Sequence, residues 1–452
     1  MPRQKSIDYS LLIASFLLYG FIGFGVERYE TQPLLLAYSA VFVIYLYLAF
    51  KSRDDSINFW FYGAILFRIV MLFCIPSLSD DFYRFVWDGR LLAAGYHPFA
   101  EVPAFYMQHN LHIPGINEEL FLKLNSPDYF TIYPPAAQFI FWLAVKISPE
   151  SIYGSMLVMK VILFISEIGS LLVIRNLLFQ FNLPAKRILL YALNPLIILE
   201  LVGNIHLEAV LIFFLLLAIL LLCSRKLIPG GVSFSIAICV KLTPLMLMPA
   251  LVPRLGWRKA MTFYLIVGAT CVILFLPLWD KEIIFGFQHS LAYYFKKFEF
   301  NASIYYLVRA WGYWYYGYNL IQTAGWVLGI GSFLIIIFFS VVRLRYAVGI
   351  SKVATRILDQ GLLLRFVLIL LTYFLFTTTL HPWYIAPLLV ISIFTEFRFA
   401  VLWSALIFLT YAGYSMEGFQ ENLFIIFIEY IFVLGYLAYE LLWKRKYLLQ
   451  AS

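Results

Sequence analysis

At 452 residues, 63% hydrophobic and only 13% charged, the chain carries more apolar surface than a water-soluble core of this length requires. Its net charge of +8 does not signal nucleic acid, because the basic residues fall in short loops between apolar runs instead of forming one patch. Cys74, Cys223, Cys239 and Cys271 all lie inside apolar runs without metal-like spacing, which excludes a disulfide framework and a zinc site as organising features.

Taken in chain order, apolar runs cover residues 9–26, 33–50, 57–76, 152–174, 188–201, 205–223, 260–278, 320–342, 362–379, 383–394, 401–414 and 423–442. Most are long enough to cross about 30 Å of hydrocarbon as helices, and the need to satisfy every backbone group in lipid favours a helix bundle. Arg3 and Lys5 precede the first run and no small-residue cleavage pattern follows it, so it reads as a retained span. Residues 133–147 and 231–251 contain proline and read as half-spans or re-entrant helices. The expectation is an all-α polytopic membrane protein, a bundle of about 12–14 transmembrane or re-entrant helices with amphipathic helices in a long first outer loop.

Charge asymmetry orients that bundle. Lys51 and Arg53, Arg175 with Lys186 and Arg187, Arg225 with Lys226, Arg254 with Arg258 and Lys259, Arg343 with Arg345, and Lys444 to Lys446 all become cytoplasmic under the positive-inside rule. Residues 77–132, 202–204, 279–318 and the turn at His381 then share the opposite face, and two of these loops have the length of binding or active-site structures. The expected organisation is three N-terminal spans (1–76), an outer loop with an acidic motif and juxtamembrane helices (77–151), the remaining bundle (152–442) with its outer loop at 279–318, and a cytoplasmic tail (443–452).

The richest chemistry follows the third span, in SDDFYRFVWDGRLLAAGYHPF. Read as a helix from Asp80, it turns Phe82, Phe85, Val86, Gly89 and Leu92 one way and Asp81, Arg84 and Asp88 another, which predicts a helix lying on the membrane surface. Asp80 or Asp81 could be a plain N-cap and Asp88 an i,i+4 partner of Arg84; equally, carboxylates beside arginines at the lip of a membrane cavity have the parts of a general base next to an anion site. A second cluster, Glu200, Asn204, His206 and Glu208, crowds the interruption made by Pro195 and Gly203; it reads either as a capped hairpin or as the wall of a wet cavity. His206 and Glu208 are too few ligands for a metal site, and no metal or other cofactor is expected. His381 stands before the rigid Pro382, a position open to a structural hydrogen bond or a catalytic role. Lys241, Tyr133, Asn301 and Arg309 are further candidates, whereas Arg68, Lys160 and Glu167 read as structural partners of one another. No nucleotide-binding fingerprint occurs, so an activated substrate is expected to arrive through the lipid.

Six segments in order, SDDFYRFVWDGRLLAAGYHPF, TIYPPAAQFIF, LNPLIILELVGNIHLEA, VKLTPLMLMP, FNASIYYLVR and LHPWYIAPLL, resemble the GT-C superfamily of integral membrane glycosyltransferases, particularly the bacterial polyprenyl-phosphomannose-dependent mannosyltransferases. The resemblance implies a polyprenyl-phosphate sugar donor, usually mannose, a glycolipid or glycan acceptor, and inverting transfer on the periplasmic face of a bacterial cytoplasmic membrane. It implies an acidic base in the first outer loop, here Asp80, with Asp81 orienting the acceptor or sharing the role. Arg84, Arg90, His381 and Arg309, in that order, are the expected groups for the departing phosphate; Asn204, His206, Glu208, Tyr133 and Lys241 are expected to bind substrate. The chain departs from this pattern in carrying His206-Leu207-Glu208 where relatives often show His followed by Asn-Asp, and in two additional spans before the acidic loop. A transporter of lipid-linked saccharides, or an oligosaccharide ligase on the same scaffold, remains the alternative.

Overall fold

The computed structural model describes residues 2–342 and 360–443; Arg343, Arg345 and Lys444 to Lys446 lie outside the described residues. The chain is an all-α membrane bundle. Among the described residues, seven helices are long and apolar enough to cross a membrane: Lys5–Gly25, Thr31–Lys51, Asp54–Phe73, Ile152–Gln180, Trp257–Leu278, Ile321–Val341 and Leu423–Trp443. A bent pair, Pro195–Gly203 with Glu208–Cys223, makes an eighth if counted as one span, and five shorter apolar helices accompany them. Only one small sheet occurs among these residues, the hairpin Tyr414–Ser415 with Gly418–Phe419.

Basic turns gather at one end of the bundle. Lys186 Nζ donates to the Phe50 carbonyl (2.7 Å), and Arg187 reaches the Thr395 carbonyl (2.8 Å) and the Glu396 carboxylate (2.5 Å). The turns after residues 50, 184 and 394 are thereby tied together at one end of the bundle.

The chain breaks at Leu193 and Asn194 ahead of Pro195, becomes π-helical over Ile198–Gly203, and then bends by 112° into Glu208–Cys223. Such a break is tolerated at membrane depth only if the freed backbone groups find partners. Here Tyr45 donates to the Leu190 carbonyl (2.8 Å), Arg68 to the Ala192 carbonyl (2.7 Å), and Asn194 Oδ1 accepts from the amides of Leu196 (3.0 Å) and Ile197 (3.4 Å). Arg68 also donates twice to Glu167 (both 3.0 Å), which accepts from the Tyr191 hydroxyl as well (2.6 Å). The expected Arg68–Glu167 pair is present, but Lys160 is not part of it. Lys160 Nζ instead donates to the carbonyls of Met71 (2.8 Å) and Cys74 (2.6 Å), satisfying backbone where the helix Ile57–Phe73 runs out.

Immediately beyond that end, the acidic helix runs over Asp81–Ala93, one residue later than the sequence pattern suggested. Neither of its faces is open to solvent: Arg84, Asp88 and Arg90 are buried along with Phe82, Phe85 and Val86. Its polar side is covered instead of solvated, because Asp88 pairs with Arg84 (2.8 Å) and accepts from Gln138 Nε2 (3.1 Å), which rises from the helix Pro135–Ile147. Phe85 stacks on Phe141 of that helix with ring centroids 4.5 Å apart. Gly89 permits the approach, since a Cβ there would stand 2.5 Å from the Phe141 carbonyl oxygen. Gly89→Val is therefore expected to lower stability by about 1–3 kcal/mol through overpacking. A melting temperature in detergent equal to that of the parent would contradict this packing.

Candidate active site

Opposite the basic turns, the acidic helix, the broken pair, the loop after the helix Lys281–Lys296 and the turn at His381 enclose a cavity of about 880 Å³. Asp80, Asp81, Arg84, Tyr133, His206, Glu208, Lys241 and His381 from the expected set all line it. Residues from separate parts of the sequence thus meet in one volume.

The two aspartates are in different situations. Asp80 forms an ion pair with Arg28, and its side chain makes no capping hydrogen bond to the helix. The amide of Asp81 is received by Ser79 Oγ instead (3.3 Å). Asp81 accepts from Asn125 Nδ2 (2.7 Å), and among the described residues no cation is ion-paired with it. Burial pushes the Asp81 carboxyl above the ordinary carboxylate range; His206, the Asn125 hydrogen bond and Lys241 oppose that shift, and the charge of Asp80 adds to it. Burial therefore favours the protonated form of Asp81 more than it would in an exposed carboxyl, and Asp81 carries this shift while facing the cavity.

The expected cations divide. Arg84 reaches the cavity wall, but its guanidinium is engaged by Asp88 and by the carbonyls of Ser126 (3.1 Å) and Tyr129 (2.8 Å), so it holds the loop that roofs the site. Arg90 stands away from the cavity lining and donates to the carbonyls of Gly115 (2.5 Å) and Pro149 (3.4 Å). Arg309 is also set back, paired with Glu299 (2.8 Å) and lying over the Tyr306 ring at 4.1 Å. Lys241 is different. It occupies the break after the helix Leu227–Val240 and reaches into the cavity between Glu208 (2.5 Å) and the face of Tyr384 (3.5 Å).

His206 follows Ile205, a β-branched residue held at φ +60° with its side chain fully buried. A non-glycine residue in that region is strained and persists only where its surroundings fix it. Asn204 supplies part of that fixing: its Oδ1 receives the Leu78 amide (3.0 Å) and its Nδ2 donates to the Leu199 carbonyl (2.9 Å), tying the broken pair to the strand of chain that leads into Asp80. Asn204 is thus beneath the cavity, not in its lining. The His206 ring stacks on Trp383 (3.6 Å between centroids), and Trp383 also stacks with His381 (4.6 Å), which stacks on Phe300 (4.5 Å). These rings form one wall. Burial pushes His381 down to about 3, so its ring is neutral at physiological pH and offers a hydrogen bond rather than a positive charge. Among the described residues, no group of three or more His, Cys, Asp or Glu side chains is arranged to hold a metal ion.

Residues 32–256, about half of the chain, match the family described as alpha-(1->6)-mannopyranosyltransferase, N-terminal domain. Over these residues the chain is similar to that family. A relative from Corynebacterium glutamicum, alpha-(1->6)-mannopyranosyltransferase A, is 22% identical over 214 residues, which are 45% of this chain and 41% of that protein. The match therefore spans about two fifths of the relative's length. Within the matched stretch stand both aspartates, His206, Glu208 and Lys241. Arg28, His381, Trp383 and Tyr414 complete the cavity from outside it. Sequence reading did not single out Arg28, Asn125 or Tyr414, whose roles depend on contacts spanning 44 to 383 positions.

Proposed function

We propose that this chain transfers a mannosyl group from a polyprenyl-phosphate carrier to a hydroxyl of a glycolipid or glycan on the non-cytoplasmic face of the membrane, by direct inverting displacement. The observation that carries the proposal is one cavity, within a membrane bundle, holding the half-buried carboxylate of Asp81, the ammonium group of Lys241 and a wall of stacked rings. The family match and the name of the corynebacterial relative support mannose as the sugar. The gathering of basic turns at the other end of the bundle supports a site on the non-cytoplasmic side.

In this reading the acceptor hydroxyl gives its proton to Asp81 as its oxygen attacks the anomeric carbon. The bond from that carbon to the phosphate oxygen breaks on the opposite face of the sugar, and the electron pair leaves with the lipid phosphate. Such a displacement needs proximity and charge stabilisation, with no covalent enzyme intermediate. Lys241, fixed by Glu208 and Tyr384, meets the charge of the departing phosphate. The family motif falls on both aspartates; the base role passes from Asp80, favoured from sequence, to Asp81, because Asp80 is already engaged by Arg28.

The test uses membranes containing the protein, supplied with polyprenyl-phosphomannose radiolabelled in the sugar. The expected result is label in a new glycolipid or glycan, absent from membranes lacking the chain. Movement of intact donor between leaflets without a new glycosidic product would instead identify a transporter.

A further inference from the structure

We propose that Arg28 is a positioning residue that divides the acidic pair: its ion pair offsets part of the charge of Asp80 and leaves Asp81 to take the acceptor's proton. The inference rests on the transferase reading above. Arg28 lies in the turn between the helices Pro2–Gly25 and Thr31–Lys51, outside the residues 32–256 that carry the family match. It nevertheless lines the cavity and forms the ion pair with Asp80. The first helical hairpin, an element additional to the simplest GT-C layout, thus supplies a charge to the site.

Two further contacts fasten that turn. The Arg28 guanidinium carbon stands 5.1 Å from the centre of the Tyr414 ring, and Thr31 Oγ1 donates to the Tyr414 carbonyl (3.2 Å). The N-terminal hairpin, the Tyr414–Phe419 hairpin and the acidic helix therefore meet at one point. Adjacent carboxylates on one cavity wall repel, so without a cation the pair holds a shared proton to higher pH and either oxygen set can carry it. A guanidinium fixed on Asp80 removes that ambiguity. The other titratable groups acting on Asp81 are His206 and Lys241 from the broken pair and the helix after it, Tyr133 from the roof loop, and Tyr414. Among these neighbours Arg28 alone is ion-paired with Asp80 among the described residues.

The test is the pH profile of mannosyl transfer from labelled polyprenyl-phosphomannose in membranes. Arg28→Ala is expected to move the acid limb upward by about half a pH unit or more, and Arg28→Lys to leave it close to the parent position. Removing Arg28 in an Asp80→Asn background should leave the limb where Asp80→Asn alone puts it, because the charge that Arg28 offsets is already gone. Should Arg28→Ala fail to accumulate in the membrane, Arg28→Gln is read in its place. A uniform drop in rate with an unmoved limb would show a merely structural role and overturn the inference. Full transfer by Asp81→Asn would instead remove the base assignment on which it rests.

Discussion

Asp81→Asn is expected to lower sugar transfer by about 10²–10⁴-fold while the protein still accumulates in the membrane. The substitution keeps the shape of the side chain and its place beside Asn125 but removes the carboxylate proposed as the base. A carboxylate acts as a base only when ionised, so the parent's rate should fall as pH drops through the Asp81 value. Burial raises that value, which places the acid limb above the ordinary aspartate range of about 3.9. The residual activity of Asp81→Asn should lack this limb. Transfer at the parent's rate, with the same pH profile, would show that another group is the base.

The second large effect concerns the scaffold. Arg68→Met is expected to destabilise the bundle by about 3–5 kcal/mol, because it strands Glu167 without its cation and leaves the Ala192 carbonyl without its donor. The broken helix would lose the support that keeps His206 and Glu208 facing the cavity. Replacing both partners, as Arg68→Met with Glu167→Met, should recover much of the loss, since a buried pair contributes less in net terms than its rupture removes. Melting temperatures of the two variants in detergent check this. Equal stability of the single and double variants would mean that the pair is not coupled in the way its geometry implies.

The spans were legible because lipid imposes length and composition on each one separately, as in Thr31–Lys51 or Leu423–Trp443. The acidic motif was legible for a similar local reason: Asp80, Asp81, Arg84 and Asp88 lie within nine residues, and the Arg84–Asp88 pair follows from helical spacing alone. What local spacing could not give was which side of the acidic helix would be covered. Its polar face looked like a surface because Gln138 and the carbonyls of Ser126 and Tyr129 come from 42 to 50 positions away. The same distance problem hid the ion pair of Asp80 with Arg28 and the seating of Lys160 on the carbonyls of Met71 and Cys74. It also made Arg90 and Arg309 look available, when Gly115 and Glu299 already engage them. His206 and His381 are each legible as candidates and Trp383 lies in the LHPWYIAPLL segment, yet their stacking joins two turns nearly 180 residues apart, and no periodicity announces it.

The most direct test of the central claim, that a lipid-borne sugar is held in the cavity beside Asp81, is photo-crosslinking with a polyprenyl-phosphate sugar carrying a photoreactive group close to the phosphate, with adducts mapped by mass spectrometry. The account predicts saturable labelling around Lys241 and the segment from His381 to Tyr384, displaced by unlabelled donor. Adducts confined to lipid-facing helices such as Trp257–Phe275, and unaffected by competing donor, would contradict it.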